Sequence, residues 1–176
     1  MTKIYLSLGS NIQRYKHITA GLDALFIFLS DLKISTIYES KSVGFDGSDF
    51  LNLVVSGKTD LKIGELSERL KKIEDDNGRK RNGPKFSPRT LDIDILLYGN
   101  FVGVEAGVSL PRDEILQNAF VLLPLSELAA DELHPQLKKT FSQLWSDFDK
   151  NSQLLWPVDF VWEGKKISFT PSNPTS

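Results

Sequence analysis

Asp92 and Asp94 are the residues of this sequence best suited to chemistry. Two carboxylates spaced by two on an extended segment point the same way, a few ångströms apart, while Leu91, Ile93 and Ile95 point to the opposite side. Like charges so placed repel, and a hard divalent cation is the usual remedy. Carboxylates completed by substrate phosphates are the typical magnesium arrangement. The same spacing also suits a solvated polar strand face. The preceding segment favours the metal. From Asn77 to Leu91 the chain carries Arg79, Lys80, Arg81, Lys85 and Arg89, and no acid. These side chains offer charge-assisted, partly bidentate donors to phosphate oxygens, although a solvated basic loop has the same composition. Cations beside a carboxylate pair fit a polyphosphate with its magnesium better than either feature alone. Gly78, Gly83 and Pro84 suit a loop that closes over a ligand.

Phe50 and Asn52 add an aromatic ring for stacking and an amide that both donates and accepts, a pair suited to a flat polar heterocycle. An edge packing residue and a turn-forming asparagine would look the same. No G-x-x-x-x-G-K-[ST], G-x-S-x-G or G-x-G-x-x-G occurs, so phosphates must be held by side chains. His134, before a proline, reads as a surface turn residue and His17 as a helix-start residue; neither is given a catalytic role.

The elements that must position these groups follow from periodicity. Residues 3–8 alternate as a half-buried strand ended by Gly9-Ser10-Asn11. Ile18, Leu22, Leu25, Phe26 and Leu29 predict an amphipathic helix over roughly 15–30. Strands are predicted over 33–40 and 50–57, joined by a polar loop. Asp60 is expected to cap a second helix with inward Ile63, Leu66, Leu70 and Ile73, stopped by Asn77-Gly78. A fourth strand over 90–98 sets Leu91, Ile93, Ile95 and Leu97 on one face. The order β-α-β-β-α-β is an α+β, ferredoxin-like core whose helices share one side of the sheet and leave the other face available. With the first strand between the third and fourth, Phe50 and Asn52 lie two strand spacings, roughly 10 Å, from the aspartates. C-terminal additions are a short strand near 101–105, a helix near 113–128 interrupted at Pro124, another near 137–148, and a hairpin over 155–169.

Composition bounds the rest. The 176 residues suit one domain, with a core over about 3–135 and a tail over about 151–176. There is no cysteine, which excludes disulfides, thiolate chemistry and cysteine zinc sites. With 21 basic and 23 acidic residues the net charge is −2, which argues against nucleic acid as a partner. No apolar run is long enough to span a bilayer and no signal peptide precedes Gly9, so a cytoplasmic protein without a membrane partner is expected. Locally the picture differs: with +5 on residues 77–91 and −2 overall, the remainder carries −7.

Several segments occur together in a familiar order. They are Leu8-Gly9-Ser10-Asn11, Phe50-Leu51-Asn52, Ile73-Glu74 followed by Gly78-Arg79, and Pro88-Arg89-Thr90-Leu91-Asp92-Ile93-Asp94-Ile95 followed by Tyr98-Gly99-Asn100. Phe120-Val121-Leu122 with Pro124-Leu125 completes the set. Over roughly residues 3–135 the chain resembles the 6-hydroxymethyl-7,8-dihydropterin pyrophosphokinases of folate biosynthesis. The resemblance implies a ferredoxin-like core and transfer of pyrophosphate from ATP to the pterin hydroxymethyl group, with release of AMP. It implies that Asp92 and Asp94 hold two magnesium ions and that Arg79 and Arg89 stabilise the transferring group. Glu74, Arg81, Lys85, Phe86, Ile95, Ser109 and Arg112 are implied on the ATP side, Lys85 and Phe86 within a mobile catalytic loop. On the pterin side, Phe50 and Phe120 would sandwich the ring, Asn52 would bond its edge, and Ser40, Val43 and Gly44 would touch it.

This sequence also departs from the family pattern. Lys41-Ser42-Val43-Gly44 stands where a proline-containing loop is usual, Phe86-Ser87 replaces Trp-Gly, Arg112 replaces histidine, and Asn118 replaces an arginine that contacts nucleotide. The tail beyond about Asn151 is longer than expected. These departures leave open a divergent paralogue that binds pterin or nucleotide with little or no transfer. A ferredoxin-like interaction module is a third reading, against which Phe50, Asn52, Asp92 and Asp94 together argue. The expected assembly is a monomer or weak oligomer.

Overall fold

The computed structural model describes residues 1–41, 49–78 and 90–171. In chain order the elements are β1 (Thr2–Ser10), α1 (Arg14–Phe28), β2 (Ser30–Ile34), β3 (Tyr38–Ser40), β4 (Phe50–Thr59), α2 (Ile63–Asp76) and β5 (Asp92–Tyr98). There follow β6 (Gly103–Glu105), β7 (Val108–Leu110), α3 (Glu114–Gln117), α4 (Ala119–Leu128), α5 (Phe141–Asp147), β8 (Leu155–Pro157), β9 (Phe160–Trp162) and β10 (Lys165–Ser168). The main sheet runs β5-β1-β4-β3-β8, with β2 beside β3 on the same edge of β4, and every pairing is antiparallel. Thus β1 lies between the third and fourth strands of the predicted order, and the α+β, ferredoxin-like expectation holds.

One face of the sheet carries Ile4, Leu6, Leu8, Leu51, Leu53, Val55, Ile93 and Ile95 against Ile18, Leu22 and Leu25 of α1 and Ile63, Leu66, Leu70 and Ile73 of α2. Alternation on the strands and helical spacing on α1 and α2 give both sides one apolar surface. Phe26, expected inward, is exposed and packs edge-on against Trp162. Asp60 does not cap α2. It pairs with the N-terminal amine, and the Glu65 carboxylate accepts the Lys62 N–H at the helix start instead. The predicted second strand is divided because Ser35 bonds Val54 twice, backbone N–H to carbonyl and hydroxyl from the Val54 N–H, before the chain leaves the ladder. Asn77 and Gly78 end α2 as predicted, with Gly78 at φ +80° in the left-handed region.

The opposite face is not left available. Tyr5, Val54, Leu96 and Leu97 pack against Ile115, Val121, Leu122, Leu125 and Phe141 from α3, α4 and α5, forming a second apolar cluster. Leu97 belongs to it because β5 bulges: Leu6 faces Ile95 while Tyr5 faces Leu97, so Leu96 and Leu97 both turn to this side. The predicted long helix breaks at Asn118, which is extended (φ −120°, ψ 120°), and Pro124 lies inside α4. The last helix is shorter than 137–148 and begins after Thr140, which caps it. His134 is 2% exposed, not a surface residue; its Nδ1 accepts the N–H groups of Gln136 and Leu137. The strand near 101–105 has a hairpin partner in β7, and only β9 and β10 form the terminal hairpin, β8 having joined the main sheet. Among the described residues no helix is long and apolar enough to cross a membrane.

Candidate active site

The lower end of β1 organises the site. Gly9 pairs with Asn52 on one side and with Asp92 on the other; Ser7, two residues earlier, pairs with Asp94. Asn52 and Asp92 therefore stand two strand spacings apart, roughly 10 Å, as predicted. A Cβ on Gly9 would lie 3.1 Å from Asn52 Oδ1 and 3.9 Å from Phe50 Cδ1, so the missing side chain keeps the floor between them open. Gly9 is a position next to Asn52 that residue chemistry alone does not mark.

On the aspartate side lies a cavity of about 480 Å³ along the outer edge of β5, lined by Glu74, Asp92, Asp94, Ile95, Ser109 and Arg112, with Ser67, Lys71 and Glu114 also present. Six of the predicted residues thus meet in one space. Glu74 is buried, and its Oε2 accepts the Ile93 N–H at 2.8 Å, which ties α2 to the strand bearing both aspartates. The β5 bulge has a use here. The Leu96 carbonyl accepts the backbone N–H of Arg112 (3.1 Å), and the Arg112 guanidinium reaches Asp94 at 3.3 Å and Glu114 at 3.2 Å. Ser67, Lys71 and Glu74 follow helical spacing, so the α2 periodicity contained the first two. Ser109 comes from the hairpin strand β7, which was not predicted.

Charge in this cavity is strained. Burial, and then the neighbouring Asp92 carboxylate, push the Asp94 carboxyl up to about 7, against the pull of Arg112. Burial works against the Arg112 cation, yet Asp94 and Glu114 hold it above its ordinary value. Two adjacent carboxylates at this cost, open to a polar cavity, fit a divalent cation. Among the described residues no three histidine, aspartate or glutamate side chains form a metal cage. Magnesium suits such a pair, since it keeps waters and takes phosphate oxygens for its other positions.

On the other side, Asn52 and Ser40 are buried and the Asn52 Nδ2–H donates to Ser40 Oγ at 2.8 Å. This fixes the amide. Phe50, at the start of β4, is half-buried, and Phe120, in the first turn of α4, packs at the margin of the second apolar cluster. Arg79, Arg81, Lys85, Phe86, Arg89, Val43 and Gly44 lie outside the described residues. Asn118 does not line the cavity; it forms the junction between α3 and α4.

The family described as 7,8-dihydro-6-hydroxymethylpterin-pyrophosphokinase (HPPK) matches residues 5–130. This chain belongs to that family. Among curated HPPK relatives, the 2-amino-4-hydroxy-6-hydroxymethyldihydropteridine pyrophosphokinase of Aquifex aeolicus is 39% identical over 145 residues, covering 81% of this chain and 90% of the relative. That of Porphyromonas gingivalis strain W83 is 37% identical over 142 residues, covering 77% and 96%. A fold likeness extends to the Plasmodium falciparum HPPK-DHPS crystal structure, with TM-score 0.69 and 14% identity over 96% of this chain; this chain spans 49% of that one. The HPPK match ends at residue 130, so the tail that adds β8, β9 and β10 lies beyond it.

Proposed function

We propose that in the reaction of this family, the transfer of pyrophosphate from ATP to 6-hydroxymethyl-7,8-dihydropterin, Asp92 and Asp94 would hold two magnesium ions that neutralise phosphate charge. The hydroxymethyl oxygen attacks the β-phosphorus and gives up its proton to solvent, the bond from that phosphorus to the α,β-bridging oxygen breaks, and AMP leaves. Catalysis of this kind is positioning and electrostatics. Magnesium, when bound, cancels repulsion between the nucleophile and the polyphosphate. Glu74 holds β5 in place beneath the nucleotide, Ile95 and Ser109 shape its side of the cavity, and Arg112 meets phosphate charge. Arg79, Arg89, Arg81, Lys85 and Phe86 take the loop roles that their sequence positions imply. Phe50 and Phe120 stack on the pterin, with Asn52, oriented by Ser40, reading its edge; the family resemblance assigns Val43 and Gly44 to the same substrate. All these residues act within one domain.

The observation that supports this reading is the shared pairing of Gly9 with Asn52 and Asp92, which brings a residue assigned to the pterin and one assigned to the metal onto the two strands that flank β1. The binding-only alternative rested on Ser87, Arg112 and Asn118. Arg112 lines the cavity beside Asp94, a position suited to phosphate. The test is to supply ATP, magnesium and the hydroxymethyl dihydropterin and to measure AMP. Asp94→Asn is expected to lower AMP release about a hundredfold or more, because several kcal/mol of charge stabilisation disappear, while the melting temperature holds or rises. Wild-type-like turnover in this variant would remove the aspartates from the mechanism.

A further inference from the structure

The tail contacts both carriers of the pterin-side residues. Gln153 bridges the start of α4: its Oε1 accepts the Ala119 N–H at 2.7 Å and its Nε2–H donates to the Gln117 carbonyl at 2.7 Å. Asn118, at the capping position, makes no side-chain cap, so Gln153 satisfies a helix N–H from outside the helix. Phe120 is the next residue after this clamp. Two residues after Gln153, β8 begins and pairs with β3, setting Leu155 opposite Ser40 and Trp156 opposite Glu39. The Trp156 Nε1–H donates to Glu39 Oε1 at 3.0 Å. The other Glu39 oxygen takes the Arg14 guanidinium, which also donates to the Asp49 carbonyl at 2.9 Å, one residue before Phe50. Ser40 in turn holds Asn52.

We propose that the segment 153–157 is a clasp that fixes the two sides of the pterin site relative to each other, with Gln153 and Trp156 as positioning residues that set pterin affinity. Gln153 acts on Phe120 through the first turn of α4. Trp156 acts on Ser40, Asn52 and Phe50 through Glu39 and Arg14. Neither residue lines the aspartate cavity, so nucleotide binding and the chemical step are independent of them. This inference rests on the pterin reading above and extends it to a segment beyond the matched family span.

Steady-state kinetics with ATP and the hydroxymethyl dihydropterin separate the outcomes. Gln153→Ala is expected to raise KM for the pterin about three- to tenfold, the loss of one or two hydrogen bonds, with KM for ATP unchanged and kcat within about twofold. Trp156→Phe, which keeps a ring but loses the indole N–H, is expected to move the same constant by a smaller factor, and Gln153→Glu, which keeps the acceptor, to recover part of the Gln153→Ala loss. Unchanged pterin KM in both Gln153→Ala and Trp156→Phe would overturn the clasp. So would parallel rises in both KM values with a falling melting temperature, which mark a general loss of structure. Wild-type chain that neither binds the pterin, followed by its fluorescence, nor releases AMP overturns the functional reading, and the clasp with it.

Discussion

At the scale of single residues, the site depends on an absent side chain as much as on the charged ones. Gly9 sits between Asn52 and Asp92, where a methyl group would come within 3.1 Å of Asn52 Oδ1. Gly9→Ala must move the amide that Ser40 holds, so pterin KM is expected to rise about tenfold, a displaced hydrogen-bonded group costing of the order of 1 kcal/mol or more. Because the neighbour is a side-chain oxygen, the fold should survive, and circular dichroism with kinetics checks both parts. His134 makes a different residue-scale prediction. Burial lowers its pKa below the ordinary 6.5, and its Nδ1 already accepts two backbone N–H groups. The unfolded chain therefore binds this proton more readily than the folded one. Stability from this group is fully present above about pH 6.5 and is lost as pH falls through the lowered folded value. Melting temperature from pH 7 to pH 5 should fall less steeply in His134→Gln than in wild type; identical slopes would rule the histidine out.

Elements carry these residues, and their ends are where local chemistry is easiest to test. Thr140 Oγ1 accepts the Gln143 N–H and Gln143 Oε1 accepts the Thr140 N–H, a reciprocal cap that starts α5 and turns Phe141 into the second apolar cluster. Thr140→Ala should cost about 1 kcal/mol, or roughly 3 °C of melting temperature at this chain length, without altering AMP release. That cap was legible in the sequence as T-x-x-Q, yet the predicted helix ran back to Leu137, because apolar spacing extended past the residues that close it. The same contrast recurs across the fold. Strands β1 and β4 and helices α1 and α2 follow from periodicity, since in each the regularly spaced apolar residues meet in the first core. The bulge in β5 does not, because period-two alternation places Leu97 with Ile95 and nothing local marks the inserted residue. The consequence reaches the site: the bulge frees the Leu96 carbonyl to hold the Arg112 backbone beside Asp94. In the sequence Arg112 stands out as a departure from the family pattern, and the bulge shows how its backbone is held beside the aspartates. Non-local pairings such as β3 with β8 were equally invisible, being set by tail residues more than a hundred positions from their partner.

At the scale of the whole molecule, a net charge of −2 describes the wrong length. The +5 between Asn77 and Leu91 abuts a strand whose two aspartates share a cavity with Arg112, an arrangement matched to a small metal-bound polyphosphate. The whole-chain view also changes the standing of the tail. Phe160 is 2% exposed within the main core, and its ring stacks on Tyr15 of α1 with centroids 5.3 Å apart. Ser168 accepts the Ile37 N–H and donates to the Val158 carbonyl, joining the terminal hairpin to the sheet beside β3. A tail bound in this way contributes to global stability. Truncating a buried phenylalanine costs about 3–5 kcal/mol, so Phe160→Ala should lower the midpoint of urea unfolding in a single transition and the melting temperature by roughly 10 °C. Val161→Ala, at the exposed neighbouring position, should change stability by no more than about 0.5 kcal/mol. A dispensable appendage would instead give two near-silent variants, or a separate early transition at the hairpin while the remaining chain unfolded unchanged.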